Sequence, residues 1–408
     1  MAKKTSSEAT TGVLAMARAA STKMLKNDNW RVVLDPNQLR ESLPNIPTGS
    51  LVIDYLIGGE PNSFGISPCP GLPRKRITQL WGHESAGKTT LALTAAATTC
   101  QNGGTVLYVD WENDIVPDYA AALGVPISDP SRFELIQPES LEEGIKLIRA
   151  YVMAGVDLVV IDSVGAAAPA VMVDRKIEET GDVIRVGLVA KTWSDFLPLL
   201  KGDINKSRTA VLAISQTRAT INTGGGGYGG PQTAPQGGNA WKFYSSVRIE
   251  LRRVKSEKAK RHNVLTHMSE DRVYGGVIRA KMVKCKLSNS QGREEQFYIR
   301  WGEGIDDIRS IMEIAMGHGV IKKGGSWLTW DPPNGESIRL QGTERLREML
   351  KKDPDLFGSL YGQVRPYLSG TRYEEEEDPE MIEDPMADAI DGIIGEIEDE
   401  GEELDLSE

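Results

Sequence analysis

The stretch GHESAGKTT, residues 82–90, lies between an apolar segment, RITQLW (76–81), and an Ala-rich segment, LALTAAATTC (91–100). From Gly82 to Thr89 it matches the GxxxxGK[ST] pattern in full, with a strand expected before it and a helix after it. In such a P-loop, backbone N–H groups and the N-terminus of the helix hold phosphate groups. Lys88 is expected to reach the outer phosphates and Thr89 to ligate Mg²⁺. The sequence therefore predicts a site for a nucleoside triphosphate.

Downstream of the P-loop, short apolar runs alternate with amphipathic segments. The runs are TVLYVD (105–110), DLVVID (157–162) and TAVLAIS (209–215), and the helical segments between them are LEEGIKLIRAYVMAG (141–155) and LVAKTWSDFLPLL (188–200). This pattern predicts an α/β fold with a mostly parallel sheet covered on both faces. After Gly238 apolar and polar residues alternate, as at Val247, Ile249 and Leu251, which predicts an antiparallel extension of the same sheet.

Four segments are expected along the chain, and a Pro/Gly-rich stretch at 58–73 resembles an inserted surface loop. The segments are an N-terminal oligomerisation helix with its linker (1–44, the helix at 8–29), an ATPase core (45–305), a small α+β unit with one hairpin (306–370) and a disordered acidic tail (371–408).

The net charge of −11 conceals a division between body and tail. Residues 374–408 hold 18 Asp/Glu and no Lys/Arg, which leaves 47 basic against 40 acidic residues, a charge of +7, in the rest. A basic body with an acidic tail is typical of proteins that handle polyanions, although the tail could serve solubility alone. The three cysteines show no CxxC spacing, and no signal peptide or membrane span is evident, so we expect a cytoplasmic protein without zinc.

Three polar residues follow the apolar runs. Asp162 ends its run where a carboxylate could hold Mg²⁺ through water, or where it could simply cap a strand. Glu112 lies just past a strand expected to neighbour the P-loop strand, as a general base or as a solvated loop residue. Gln216 ends TAVLAIS, where it could contact the γ-phosphate or cap the strand.

The segment INTGGGGYGGPQTAPQGGNAW (221–241) holds eight glycines and is far longer than a turn. Ordering each residue costs about 1–2 kcal/mol of backbone entropy, and glycine loses most. We therefore expect that a ligand orders this loop.

With these residues the chain resembles the RecA-type recombinases over about residues 40–370. The stretches that carry the resemblance are IPTGSLVID (46–54), GLPRKRI (71–77), GHESAGKTT (82–90), YVDWEN (108–113), PDYAAALGV (117–125), VVIDSV (159–164), ISQTR (214–218), GGNAWKFYSSVR (237–248), VKCK (283–286) and WGEGID (301–306). The resemblance implies a RecA-like P-loop ATPase core that binds ATP and Mg²⁺, forms a homo-oligomeric helical filament on single-stranded DNA and exchanges strands with double-stranded DNA. Single-strand-binding and mediator proteins are further implied partners.

The resemblance also implies roles for individual residues. Glu112 is similar to the family's general base, Gln216 to its γ-phosphate sensor and Tyr119 to its adenine-stacking aromatic, while Lys284 and Lys286 match a pair that reaches the neighbouring protomer's ATP. The implied nucleotide contacts are Gly82, Glu84, Ser85, Ala86, Gly87, Lys88, Thr89, Thr90, Tyr119, Asp162 and Ser163. The implied DNA contacts, in and beside loops 174–187 and 217–238, are Arg185, Val186, Gly187, Lys191, Arg218, Tyr228, Gly237, Gly238 and Asn239. Val116 departs from the family, which usually has an adenine-contacting Asp there.

Two other classes share parts of these features. A ring-forming helicase has the same core, but the GGNAWKFY stretch (237–244) and the Lys284/Lys286 pair argue against it. A non-catalytic single-strand-binding module would not need Lys88 and Glu112 intact.

Overall fold

The computed structural model describes residues 16–17, 20–24, 40–173, 182–219, 233–262, 269–333 and 335–368. Residues 20–24 are helical, in agreement with the helix predicted at 8–29. Apart from residues 16–17, which are also helical, the rest of that helix lies outside the described residues. So do residues 174–181 and 220–232 of the two predicted DNA loops, and the acidic tail.

The described part of the chain contains fifteen strands and ten helices of four or more residues. The strands are β1 Asn45–Ile46, β2 Leu72–Pro73, β3 Ile77–Gly82, β4 Val106–Asp110, β5 Phe133–Ile136, β6 Leu158–Asp162, β7 Ala210–Ala219, β8 Thr233–Pro235, β9 Val247–His262, β10 Ser269–Cys285, β11 Glu294–Arg300, β12 Gly304–Ile305, β13 Ile321–Gly324, β14 Trp327–Trp330 and β15 Ile338–Gln341. The helices are α1 Leu51–Gly58, α2 Lys88–Gln101, α3 Pro117–Ala122, α4 Leu141–Ala154, α5 Ala170–Val173, α6 Asp182–Ser207, α7 Ala240–Tyr244, α8 Asp307–Gly317, α9 Thr343–Lys352 and α10 Pro354–Leu368.

A ten-stranded sheet in the order β12-β11-β10-β9-β3-β7-β6-β4-β5, with β8 added to β7, forms the centre of the molecule. The strands from β9 to β5 are parallel and β10 to β12 are antiparallel, so the predicted mixed sheet is confirmed. The first strand after Gly238, β9, nevertheless pairs parallel with β3, and the antiparallel part begins only at β10.

Strand order contradicts one prediction. β4, which precedes Glu112, does not neighbour the P-loop strand β3, because β7 and β6 lie between them. After α2 the chain passes over the two strand positions beside β3, which β6 and β7 occupy later in the sequence. The apolar runs are too alike in composition for the sequence to specify which of them pair. The edge strand β5 was also missed, since FELI (133–136) is short and half polar.

Side chains of the central strands alternate between two apolar layers, one on each face of the sheet. In β4, Tyr108 packs with α1 and α2 on one face, whereas Val109 packs with α4 and α6 on the other. β6 and β7 follow the same alternation, as expected for a sheet that helices cover on both faces. Trp193 lies at the centre of the second layer, with its ring 6.1 Å from that of Trp111 and 4.9 Å from that of Trp241.

The stretch 58–73 is only partly the surface loop that the sequence predicted. Its second half returns to the protein, where Cys69 and Leu72 are buried and Leu72 pairs with Ile46. The apolar side chains at the end of the stretch therefore anchor it.

The C-terminal unit, residues 307–368, has its own apolar core and one strand more than the predicted hairpin. β15 pairs with β14 to make a three-stranded sheet. Its sequence, IRLQ, is too polar for the sequence to predict a strand there. The buried carboxylate of Asp306 ties this unit to the main sheet, accepting hydrogen bonds from Arg300 Nε at 2.7 Å and from Arg347 Nε at 2.6 Å. Where the domain boundaries fall stays a prediction.

Gly144 of α4 offers a test of the packing. A Cβ at this position would overlap the ring of Trp111, so we expect Gly144→Ala to destabilise the fold by about 1–3 kcal/mol despite the better helix propensity of alanine. Gly202→Ala in α6 is the matched control, because its Cβ would meet nothing within 4 Å, and it should stabilise slightly. Thermal unfolding of both variants measures the difference, and equal midpoints would contradict the packing.

Candidate functional site

The P-loop turns tightly between β3 and α2, and glycine is required at both ends. A Cβ on Gly82 would overlap the backbone oxygen of Leu251 in β9. Gly87 has φ +81° at the start of α2, and a Cβ there would collide with Ile299. Close packing of β9 and β11 against the loop therefore fixes the loop's shape.

Lys88 is buried beneath this loop. Its Nζ donates to the carbonyl oxygens of Gly82 at 3.0 Å and His83 at 2.8 Å. Burial lowers the pKa of Lys88, while the carboxylates of Asp162 and Glu112 act in the opposite direction. The ammonium group thus lies where the motif would place phosphate groups.

Asp162, at the carboxyl end of β6, joins two elements of the site. Its Oδ2 accepts hydrogen bonds from Thr89 Oγ1 at 3.0 Å and from the Tyr108 hydroxyl at 2.8 Å. Burial raises the pKa of Asp162 to about 6, and the hydrogen bond from Tyr108 opposes that shift. The sequence did not identify Tyr108 as a site residue, because its position within an apolar strand predicts that its side chain belongs to the hydrophobic core.

The other oxygen of Asp162, Oδ1, is buried and has no hydrogen-bond partner among the described residues. Together with the lone pairs of the Thr89 hydroxyl, it supplies the hard oxygen ligands that Mg²⁺ prefers. The described residues contain no group of three or more His, Cys, Asp or Glu that could hold a metal by itself. These residues fit a magnesium ion whose remaining ligands would be water and oxygens of the substrate phosphates. Ser163, next to Asp162, is also buried.

Glu112 and Gln216 meet although their strands are not neighbours. Gln216 Nε2 donates to Glu112 Oε1 at 2.8 Å, across the end of β6. Parallel strands end at the same edge of a sheet, so residues just past β4 and near the end of β7 converge there.

Asp110, which the sequence analysis missed, orients the Glu112 loop. Its Oδ1 accepts from the backbone N–H groups of Glu112 at 3.0 Å and Asn113 at 2.9 Å. Its Oδ2 accepts from Gln137 Nε2 at 3.2 Å. The sequence signal for this role is an Asp two residues before Glu112, because Asp side chains in turns accept hydrogen bonds from the backbone two residues on.

The ends of the Gly-rich loop are joined to Gln216. β7 continues past Gln216 to Ala219 and pairs antiparallel with β8, with Thr217 opposite Pro235. The backbone N–H of Gln236 donates to the Gln216 oxygen at 2.8 Å. The first residues of the predicted loop 217–238 therefore belong to a short ladder, and the binding of DNA by this loop stays a prediction.

The predicted DNA residues are placed in several settings. Gly237 and Gly238 have φ of +95° and +89°, and a Cβ on either would press against Val164 or Ala190, so packing alone explains both glycines. Residues 182–187 of the first predicted loop are helical and begin α6. Three of the predicted DNA residues are exposed: Gly187, Lys191 and Asn239. Arg185 and Val186 lie in α6 and Arg218 lies in β7, but their side chains are outside the described part of the chain. Tyr228 is not among the described residues.

The remaining nucleotide candidates surround the P-loop. The Tyr119 hydroxyl, on α3, lies 2.9 Å from Thr90 Oγ1, and its ring is half buried. Val116, at the start of α3, is exposed. Glu84 and Ser85 are exposed and Ala86 is buried.

Lys284 and Lys286 lie at the opposite edge of the sheet. β10 ends at Cys285 beside Val247, the first residue of β9, whereas Gly82 pairs with Leu251 further along that strand. Lys284 Nζ donates to the carbonyl oxygens of Lys242 and Phe243, and Lys286 is exposed just beyond the strand. Neither lysine approaches the P-loop of its own chain, and their action on a neighbouring protomer stays a prediction.

Comparison with known proteins gives one consistent family. Residues 23–306 match the family described as the RecA N-terminal domain. The RecA protein of Chlorobaculum tepidum is 37% identical over 326 residues, which cover 80% of this chain and 84% of the relative. That of Lactobacillus delbrueckii subsp. bulgaricus is 33% identical over 377 residues, covering 91% and 92%. That of Caulobacter vibrioides is 36% identical over 335 residues, covering 82% and 83%.

Tyr108→Phe tests the arrangement around Asp162. Without the hydroxyl, Oδ2 of Asp162 loses a donor that holds the carboxylate in place, so we expect Mg²⁺-dependent nucleotide binding to need about 10-fold more Mg²⁺. Binding of a fluorescent nucleotide over a Mg²⁺ series measures this without turnover. Tyr119→Phe removes a hydroxyl bonded to Thr90 instead, and its effect should be the same at every Mg²⁺ concentration. Superimposable curves for Tyr108→Phe and the unmodified protein would contradict the proposed role of Tyr108.

Proposed function

The chain belongs to the RecA family, and on that basis we propose that it is a DNA-dependent ATPase that polymerises on single-stranded DNA and catalyses homologous pairing and strand exchange in recombination and repair. ATP and Mg²⁺ bind at the P-loop between protomers. Nucleotide binding holds the filament active, and hydrolysis releases the DNA.

The hydrogen bond between Gln216 and Glu112 is the observation that supports this proposal most directly. Glu112 Oε1 is the atom that would accept a proton from the attacking water, and it is engaged by Gln216. When Gln216 turns toward a γ-phosphate, Oε1 becomes available for that water. Because Gln216 is also bonded to the base of the Gly-rich loop, DNA that orders the loop would move the same residue. Hydrolysis and DNA binding are thereby coupled through one side chain.

The other residues position the phosphates. Lys88 would exchange its P-loop carbonyl partners for the outer phosphate oxygens, and Thr89, which donates a hydrogen bond to Asp162, would hold Mg²⁺ through its hydroxyl oxygen. Mg²⁺, when bound, neutralises charge on the phosphate oxygens. Tyr119 lies beside the start of α2, where an adenine ring could contact it.

Lys284 and Lys286 act on the nucleotide of the next protomer. Their place at the edge opposite the P-loop leaves no path to their own site, whereas head-to-tail stacking brings that edge against a neighbour's P-loop. A heterologous contact that does not close generates a helical filament.

We propose single-stranded and double-stranded DNA as the partners of the two loops, with single-strand-binding and mediator proteins as further partners. In the described part of the chain, every helix is too short or too polar to span a bilayer. The described free cysteines, Cys69, Cys100 and Cys285, suit a reducing compartment, which supports the cytoplasm as the place of action.

ATP hydrolysis measured with and without single-stranded DNA, with electron microscopy of the same samples, tests the proposal. We expect DNA to stimulate hydrolysis and extended helical filaments to form. Closed hexameric rings would instead identify a translocase, and hydrolysis indifferent to DNA would remove the coupling.

Glu112→Gln separates binding from chemistry. The amide oxygen can still accept from Gln216, so nucleotide and DNA binding should persist while turnover falls about 10²-fold or more for lack of a base. Glu336→Gln is the matched control, since it neutralises an exposed carboxylate of the C-terminal unit and should leave turnover nearly unchanged. Undiminished turnover in Glu112→Gln would reduce Glu112 to a loop residue.

A mixing experiment tests whether the lysines act on a neighbour. Glu112→Gln protomers and Lys284→Ala/Lys286→Ala protomers should each be nearly inactive alone. In random co-assembly about one quarter of head-to-tail interfaces combine an intact Glu112 with intact lysines, so the mixture should recover about a quarter of the stimulated activity. No recovery, with filaments still present, would place both functions in one chain.

A further inference from the structure

The inserted stretch, residues 58–73, has no part in the proposed function, yet it is bonded to the turn that follows β10. This turn, residues 286–291, begins with Lys286. The backbone N–H of Glu60 donates to Asn289 Oδ1 at 3.1 Å, and Asn289 Nδ2 donates to Glu60 Oε2 at 2.8 Å. Each residue is thus both donor and acceptor in one pair, which joins positions that are 229 residues apart in the sequence.

Side chains rather than the sheet hold this turn in place. The backbone N–H of Lys286 donates to the Ser246 oxygen at 3.1 Å, and the chain next bonds to the sheet where the N–H of Gly292 donates to the Met282 oxygen at 2.8 Å. Between these two bonds, residues 287–289 make no backbone–backbone hydrogen bond within the described part of the chain. The position of the turn, and of Lys286 at its start, therefore depends on what its side chains contact.

Contacts with the end of α1 and with the inserted stretch take the place of those backbone bonds. Ser288 Oγ donates to the carbonyl oxygen of Ile57 at 2.9 Å, and Leu287 is half-buried against the apolar layer on that face of the sheet. Gly59, near the start of the inserted stretch, has φ +68°, and a Cβ there would lie 2.7 Å from the Cβ of Ser288. The close approach of the two segments therefore requires glycine at this position.

The inserted stretch is itself fixed by hydrogen bonds along its length. Asn62 Oδ1 accepts from the backbone N–H groups of Phe64 at 2.9 Å and Ile66 at 3.2 Å, which closes a tight turn. On the return leg, the backbone N–H of Leu43 donates to the Pro68 oxygen at 2.7 Å. Because its last residues are also anchored in the core, the inserted stretch can support the turn that follows β10.

We infer that the inserted stretch positions Lys286 for its contact with the nucleotide of the neighbouring protomer, and that it acts through the Glu60–Asn289 pair. The inference rests on the proposed function, which assigns Lys286 to that nucleotide. A displacement of about 1 Å at such a contact can cost about 10²-fold in rate. Lys284 differs, because it lies within the β9–β10 ladder opposite Arg248 and is placed by the sheet itself.

Exchanging donor and acceptor within the pair tests the inference. Asn289→Asp puts a second carboxylate against that of Glu60, so we expect the DNA-stimulated kcat for ATP hydrolysis to fall about fivefold. Hydrolysis without DNA and the thermal unfolding midpoint should change little, because in unassembled protomers Lys286 has no phosphate to reach. Glu60→Gln/Asn289→Asp restores the original net charge and lets the new amide donate to the new carboxylate, so it should recover most of the lost rate.

Gln291→Glu is the matched control, because it adds the same charge to the same turn at an exposed residue outside the pair. It should leave the stimulated kcat nearly unchanged. An equal loss in Asn289→Asp and Gln291→Glu would overturn the inference, and so would a loss in Asn289→Asp that the paired exchange does not recover.

Lys286→Ala, which keeps Lys284 and with it part of the stimulated rate, separates failure of the inference from failure of the proposed function. If the pair acts through Lys286, Asn289→Asp should cause no further loss once that lysine is absent. A further loss of about fivefold in the Lys286→Ala background would overturn the inference alone. If Lys286→Ala by itself left stimulated hydrolysis intact, the assignment of Lys286 to the neighbour's nucleotide would fail, and the inference with it.

Discussion

Parallel strands all end at one edge of their sheet, and the nucleotide site depends on this constraint. It brings the P-loop after β3, Asp162 at the end of β6 and Gln216 near the end of β7 to one edge, although they are distant in sequence. Glu112 reaches the same edge from β4, two strands beyond β7. Two apolar layers hold the strands in register, so the polar groups at their ends need little further support.

Within this edge, two hydrogen-bonded carboxylates lie in different settings. Asp162 is held by Tyr108 and Thr89 from beneath the P-loop, with its second oxygen left unpaired, which suits a metal ligand. Glu112 is held by Gln216 from the side of the Gly-rich loop, which suits a base that must be released before it acts. The two carboxylates are bonded to different elements, so in the proposed function the metal site and the base would respond to different ligands.

The two edges of the sheet, at the carboxyl and amino ends of the parallel strands, carry different chemical groups. The groups that would bind phosphate lie at the P-loop edge, whereas Lys284 and Lys286 lie at the opposite edge, where β10 ends and β3 begins. A chain with these two unlike edges is complementary to a copy of itself stacked head to tail.

The sequence by itself determined the P-loop, the α/β class, the two-faced sheet and the candidates Lys88, Thr89, Asp162, Glu112 and Gln216, because local motif spacing and hydrophobic periodicity carry that information. Only the tertiary structure decided the strand order, which separates β4 from β3, and gave Tyr108 and Asp110 their hydrogen bonds to the site. It also gave Gly237 and Gly238 a packing role against Val164 and Ala190, and it placed Lys286 beyond the end of its strand. These outcomes depend on which apolar runs become neighbours, and runs of similar composition pair according to the packing of the whole sheet rather than to any local signal.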